Sequence, residues 1–451
     1  MRLSKVSGSL SALVLVWGAM AFAACGDSLG TDPGDASADG APTSTTTGTT
    51  TATGTTPVPD AATTDAASPD AGPKDATSDG SLDATSDADT DAATDAGADA
   101  TVDASDTGPV VPPAVRFVGR WDTRSAAGPR VAYPGARIVA RFQGTEVSVT
   151  LDNTTGFAGG PSRYDVLIDG VLEPTQLVTQ VGQVTYPLAS GLAAGTHTVE
   201  LLKRTEGNLG VTTFMGFDFG AGGALLAPPP TPTRRIEIIS DSTIDGYGIE
   251  GMGPVCPAGT LEASHSARLG LAGLLASDLG ADAHMIGYSG KGLTRNSYLP
   301  DTATMGVLYP RALPDDATSL WDFTTWTPDV VVISIGGTDF NAGVPNIATL
   351  STKYDELVQM VRTYAPDAHI FMTIYAQLKD SYPVGYNVRT NLRTAIQNVI
   401  AANPADTKLH LYQMTESVPS QETGCQYHGN LALHRTLATA FVPVIRAATG
   451  W

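Results

Sequence analysis

Basic charge and cysteine are what this chain of 451 residues has least of. Its 26 lysines and arginines stand against 46 aspartates and glutamates, a net charge of −20. No basic cluster interrupts that balance, and without one a chain does not neutralise nucleic-acid phosphates, so no nucleic-acid partner is expected. Histidines number only seven, and no two have a metal-ligand spacing such as H-E-x-x-H. A metal mechanism is therefore without a motif, and no cofactor is expected. Long apolar runs are missing beyond the N-terminus, which excludes a spanning helix there. Of three cysteines, only Cys256 and Cys425 remain once Cys25 is set aside.

What is present is arranged in blocks. Residues 1–24 carry Arg2 and Lys5 ahead of S-A-L-V-L-V-W-G-A-M-A-F-A-A, a run too short and one-sided for a membrane span, and read as a secretory signal. The stretch F-A-A-C-G resembles a bacterial lipobox, with Phe22 where leucine is more usual. That resemblance implies cleavage before Cys25 and lipid on its thiol, an anchor of acyl chains rather than a helix. Gly26, standing where an aspartate would retain the lipoprotein at the inner membrane, favours the outer membrane or cell surface. Residues 25–112 are then almost entirely Asp, Ala, Thr, Ser, Gly and Pro, with 17 Asp and one Lys between positions 26 and 112. Such a segment has nothing to bury and is expected to stay disordered. Even as a flexible coil it would reach about 50 Å, enough to hold a folded body away from a membrane. In an exported protein the pair Cys256 and Cys425 reads as a disulfide.

Two folded domains follow. Residues 113–230 alternate apolar and polar side chains in R-I-V-A-R-F, T-E-V-S-V-T-L, Y-D-V-L-I-D, H-T-V-E-L-L and F-M-G-F-D-F, with turn signals Q-G-T, D-G-V and A-A-G-T between them. This predicts an all-β sandwich or jelly roll. A stiff A-P-P-P-T-P-T linker closes it. Residues 233–451 alternate buried runs (I-E-I-I-S, H-M-I-G-Y, D-V-V-V-I-S-I-G, H-I-F-M-T-I-Y, K-L-H-L-Y) with four amphipathic helical stretches. That rhythm predicts an α/β domain, a parallel sheet covered on both faces, with its site at the carboxyl ends of the strands.

Those ends carry the chemistry. Acyl transfer to a serine needs a hydroxyl, a base and donors for an oxyanion. S-D-S-T-I-D-G-Y-G offers Ser242, with its own amide as a donor. S-G-K-G-L offers the bare amides of Gly290 and Gly292, and I-G-G-T-D-F-N offers Thr338 and Asn341. T-G-C-Q-Y-H-G-N supplies His428 as a base, with His434 as its competitor on the last helix. Tyr427, beside the base, is a candidate sugar contact, as are Trp321, Trp326 and Phe340 if they reach the cleft.

With R-F-V-G-R-W-D, H-T-V-E-L-L-K-R-T-E, S-G-K-G-L-T-R-N and C-Q-Y-H, the pattern resembles an SGNH (GDSL-type) hydrolase, and more narrowly carbohydrate esterase family two. The resemblance covers nearly all of residues 113–451 and implies a jelly roll followed by an SGNH domain. It implies removal of acetyl groups from a xylan-like polysaccharide, with Ser242 as nucleophile and His428 as general base. The Ser242 and Gly290 amides would serve the oxyanion. Three positions depart from the family pattern: Ser240 replaces a glycine, Thr338 stands where an asparagine donor is expected, and Gln426 stands where an aspartate would orient the histidine. Asp339 belongs to the third block and takes no triad role. Two other readings stay open, an SGNH esterase or lipase on other acyl esters, and a non-catalytic carbohydrate-binding protein on an eroded esterase scaffold. The disulfide would tie the loop after Ser242 to the loop carrying His428. Oligomeric state has no signature.

Overall fold

The structure, a computed structural model, describes residues 114–451 except Phe157, Tyr298 and Leu299. The signal, Cys25 and the acidic segment lie outside the described residues. The first part is built from β1 (Arg116–Val118), β2 (Arg130–Val131), β3 (Arg137–Thr155), β4 (Arg163–Ile168), β5 (Val171–Leu172), β6 (Leu177–Val178), β7 (Gly182–Lys203), β8 (Gly210–Asp218) and β9 (Ala224–Leu226). All pair antiparallel. Two of the expected turns are not turns. Q-G-T lies inside β3 and A-A-G-T inside β7, where the long β3–β7 hairpin shifts register between Gly144 and Glu146. A bulge of this kind bends a strand without ending the ladder. The first half of β3 lies between β7 and the short β1 and β9, and its second half between β7 and β8. Ile138, Ala140 and Phe142 from one half meet Val147, Val149 and Leu151 from the other in one core, so the bent hairpin folds over on itself as a sandwich. D-G-V is a true turn, with Asp169 and Gly170 both at positive φ (52° and 77°).

The second part has five parallel strands, β10 (Arg234–Ser240), β11 (Ala281–Gly287), β12 (Val330–Ser334), β13 (His369–Ile374) and β14 (Leu409–Gln413), in the order β11-β10-β12-β13-β14. Among the described residues α1 (Leu271–Leu279), α2 (Met305–Leu308), α3 (Ile347–Tyr364) and α4 (Val388–Ala402) lie between the strands, and α5 (Leu431–Thr449) follows the last. The period of two sends Val331 and Ile333 of β12 toward α2, α3 and α4, and Val330 and Val332 toward α1 and α5. Both faces are therefore buried, which is why these strands read as unbroken apolar runs. Side chains start the long helices. Asn346 accepts from the Thr349 amide and Asn430 from the Leu433 amide, both at 3.0 Å. From β10 the chain steps to β11 on one side and then to β12 on the other. The crevice where that direction reverses, at the carboxyl ends, is where such sheets bind ligands.

The two parts form one compact unit rather than beads on a proline spacer. Arg120 leaves the β part and is fully buried against β10, where Nη2 donates to Glu237 Oε2 at 2.9 Å and Nη1 to the Tyr309 carbonyl. Tyr309 donates its hydroxyl to the other Glu237 oxygen at 2.7 Å. The guanidinium lies 4.6 Å from the Tyr309 ring and 4.9 Å from Phe323. Arg116 reaches Asp282 at 3.2 Å, and Arg204 bridges Asp165 of its own part to Glu250 of the other. Breaking a buried pair by deleting one partner leaves the other charge without compensation, at about 3–5 kcal/mol. Arg120→Met is thus expected to lower unfolding free energy by that amount in urea titrations of the purified protein. A loss below 1 kcal/mol would remove the Arg120–Glu237 pair as the tie between the two parts.

Candidate active site

β10 ends at Ser240, and Ser242 follows at the reversal of strand order. Its Oγ lies 2.8 Å from His428 Nε2, although 186 residues separate the two. The other ring nitrogen, Nδ1, is 3.1 Å from the Cys425 carbonyl. A carbonyl only accepts, so Nδ1 carries the proton and Nε2 presents its lone pair to the serine hydroxyl. Burial of the ring holds its pKa down at about 4, against the opposing pull of the Cys425 and Gln426 backbone.

The Gln426 side chain is engaged elsewhere. Its Oε1 accepts from the Tyr247 hydroxyl at 2.8 Å, and the Tyr247 ring packs against His428 with centroids 4.5 Å apart. The histidine is instead oriented by the backbone of a tight turn in which Gln426 and Tyr427 both take positive φ (54° and 61°). Two consecutive non-glycine residues in that region cost about 1–3 kcal/mol each and persist only where the surroundings over-determine them. Here they do. The Cys425 amide donates to Gly248 O at 2.9 Å, the Gln426 amide to Pro254 O at 2.8 Å, and Gln377 Nε2 to Tyr427 O at 2.6 Å. A disulfide joins Cys425 to Cys256, with Cα atoms 5.4 Å apart. Gly248 has to be glycine for this contact, because a Cβ there would stand 2.5 Å from Cys425 Cβ.

The expected oxyanion donors divide. Among the described residues, no hydrogen bond takes up the amides of Ser242 and Gly290. Gly292 is different: its amide donates to Asn296 Oδ1 at 3.2 Å, and a Cβ would stand 2.6 Å from Asp339 Oδ2. It is a packing glycine. The Thr338 hydroxyl donates to Asp241 Oδ2 at 3.1 Å, so its proton is committed. Asn341 spends its side chain on Ser297 Oγ at 2.6 Å and its amide on Thr338 O at 3.1 Å. Those three donors, expected at the substrate, are instead spent within and between the loops. Asp339 does the same from its buried position, accepting from the Leu293 amide at 2.9 Å and the Thr294 amide at 2.6 Å. It fixes the S-G-K-G-L-T-R loop and does not approach His428.

Of the other candidates, His434 is buried and accepts the Leu271 amide on Nδ1 at 2.9 Å, a core role. Trp326 stacks on His284 of β11 with centroids 3.6 Å apart, Trp321 stands edge-on to the same ring at 5.4 Å, and Phe340 is buried. All three are packing residues. Tyr427 keeps an exposed side chain beside His428. Among the described residues no cluster of His, Cys, Asp and Glu could hold a metal, and no helix is long and apolar enough to cross a membrane. Sequence reasoning missed Tyr247, the Cys425 carbonyl and Asp241. Tyr247 alone left a trace, as the large residue inside D-G-Y-G.

A serine on an imidazole, with free backbone amides at glycine turns above a five-stranded parallel sheet, defines a serine ester hydrolase of the SGNH type. Comparison with known proteins narrows it. A model described as Carbohydrate esterase 2 N-terminal matches residues 117–229, and one for the GDSL-like Lipase/Acylhydrolase family matches residues 241–434. The solved structure of a family two carbohydrate esterase from Clostridium thermocellum in complex with cellohexaose is 32% identical, with a TM-score of 0.68, covering 75% of this chain and 100% of that one. The chain belongs to carbohydrate esterase family two. The Cellulase/esterase CelE of Acetivibrio thermocellus is 33% identical over 75% of this chain, which spans only 40% of that protein. An Acetylxylan esterase / glucomannan deacetylase of Cellvibrio japonicus is 25% identical over 75% of this chain and 90% of its own length.

The neutral imidazole gives a pH prediction. Protonation removes the base, and with the pKa near 4 that loss begins only in strong acid. The acid limb of kcat/KM is expected near pH 4, well below the ordinary imidazole value of about 6.5. A profile measured on a non-ionising acetyl ester checks it, and a limb centred at 6.5 would contradict it.

Proposed function

We propose that this protein removes acetyl groups from a xylan-like polysaccharide through an acyl-serine intermediate. The observation that carries the reading is the 2.8 Å contact between Ser242 Oγ and His428 Nε2, with the ring tautomer fixed by the Cys425 carbonyl. Ser242 Oγ attacks the acetyl carbonyl carbon while His428 Nε2 takes its proton. The oxyanion accepts from the Ser242 and Gly290 amides. Collapse expels the sugar oxygen, which receives the proton from His428. Water then enters along the same path, and acetate leaves. The exposed Tyr427 ring is the surface we assign to a sugar of the chain. The names of the relatives support the acetyl group and the polysaccharide.

Acetate release from acetylated xylan tests this beside Ser242→Ala and His428→Ala. Each variant is expected to lose about 10⁴-fold or more in kcat, since removing either member of such a pair abolishes the activation of the other. Polysaccharide binding with wild-type turnover no higher than Ser242→Ala would make the protein a binding module instead. Faster turnover of longer acyl esters than of acetyl would move it to the wider SGNH esterases.

We also propose that the protein is exported and anchored through lipid on Cys25, with residues 25–112 as the tether. The lipobox-like F-A-A-C-G supports this. Palmitate labelling of the expressed full chain is expected, and its loss in Cys25→Ser. Equal labelling in both would end the anchor proposal.

A further inference from the structure

Glu206 stands in the β part, three residues beyond the end of β7, and is buried against the turn that follows β11. Both of its oxygens go to one residue of the other part. Oε2 accepts from the Ser289 amide at 3.2 Å, and Oε1 accepts the Ser289 hydroxyl. Ser289 immediately precedes Gly290, whose amide, like that of Ser242, has no hydrogen-bond partner among the described residues. Arg116, by contrast, ties the parts at Asp282, near the start of β11. Glu206 instead holds the backbone one peptide from the oxyanion donor.

The carboxylate is itself fixed. Buried Lys203 donates to the Glu206 carbonyl at 3.0 Å and to the Thr205 carbonyl at 2.7 Å, which pins the segment after β7. Gly207 next to it lies so close to the hydrolase part that a Cβ would be 3.2 Å from Pro314 Cγ and 3.4 Å from the Tyr288 ring. Asp241 and Asp245, on either side of Ser242 in the chain, are the facing acids. A buried carboxyl is costly unless hydrogen-bonded, so its position is set by the two donors of Ser289.

We infer that Glu206 is a positioning residue for the oxyanion donor of Gly290, so that the β part supplies a functional element of the site. This rests on the reading of Ser242 and Gly290 as the acyl-transfer site. A donor amide acts only if it is preorganised toward the oxyanion, and losing the Ser289 clamp frees the Gly290 peptide to rotate.

The experiment compares wild type with Glu206→Ala, Glu206→Gln and Ser289→Ala. Rates are measured on 4-nitrophenyl acetate, and affinity for ethylboronic acid, which forms a tetrahedral adduct on the serine. Glu206→Ala is expected to lose about tenfold to a hundredfold in kcat, with KM changed less than threefold. Boronate affinity should fall in parallel, and Glu206→Gln, which still accepts from Ser289, should recover most of both. A folded Glu206→Ala with kcat within twofold of wild type, or with boronate affinity unchanged, would overturn the inference. If Glu206→Ala does not fold, Ser289→Ala decides. It is expected to lose threefold or more in kcat and in boronate affinity, and wild-type values in both would reject the clamp. A wild type without turnover strikes at the acyl-transfer reading instead, and the boronate comparison still decides Glu206.

Discussion

The hydrogen bond from His428 Nδ1 to the Cys425 carbonyl is the contact to which the rest of the site is adjusted. Only two residues separate the two, so the chain has to curl back tightly, and Gln426 and Tyr427 take left-handed conformations to do so. Such a turn relaxes unless it is held from outside. The disulfide to Cys256 holds it covalently, and the Gly248 carbonyl holds it through the Cys425 amide. The loop that follows the serine is therefore the brace for the histidine. Its glycines serve that brace, since one Cβ at Gly248 would collide with Cys425. The nucleophile and its base are positioned by the same contact surface.

A carbonyl orients a histidine but lacks the full charge that a carboxylate offers an imidazolium. The base is accordingly weak, held near pKa 4 by burial, but it is neutral and ready at every ordinary pH. In the proposed reaction that weakness shifts the demand to the oxyanion, for which the Ser242 and Gly290 amides are left once Thr338, Asn341 and Gly292 are spent on loop contacts. Negative charge beneath those amides would oppose an oxyanion. Asp241 and Asp245 flank Ser242 in the chain and Glu206 binds Ser289 next to Gly290, and burial raises the pKa of each, that of Glu206 to about 7. Desolvation thus favours the uncharged forms and limits the repulsion that three ionised carboxylates would exert.

The α/β layer was legible because a strand buried on both faces leaves an unbroken apolar run, and because serine and histidine advertise chemistry by side-chain type. The β part was legible in class but not in strand length. Q-G-T has the composition of a turn, yet the hairpin absorbs it as a bulge, a choice made by cross-strand pairing far along the sequence. The residue whose carbonyl orients His428 was not legible. A backbone carbonyl has no residue code, and the visible candidate, Gln426, turns away to Tyr247. Thr338 and Asn341 show the complementary limit: composition names a donor, and only packing decides what it donates to.

The proline-rich segment suggests two modules on a spacer, and the contacts argue otherwise. β10 delivers Ser242 and also carries Glu237, whose charge is neutralised by Arg120 from the β part. A buried carboxylate left without that arginine would strain the strand that feeds the nucleophile. The turn after β11, which presents Gly290, is closed from the same side by Glu206. The strand that leads to Ser242 and the turn that carries Gly290 therefore both bind side chains supplied before the linker. Deleting the residues before the prolines would remove the partner of Glu237 and the contact on Ser289. The β part is held to the hydrolase part by these buried contacts, and the linker routes the chain from β9 to β10.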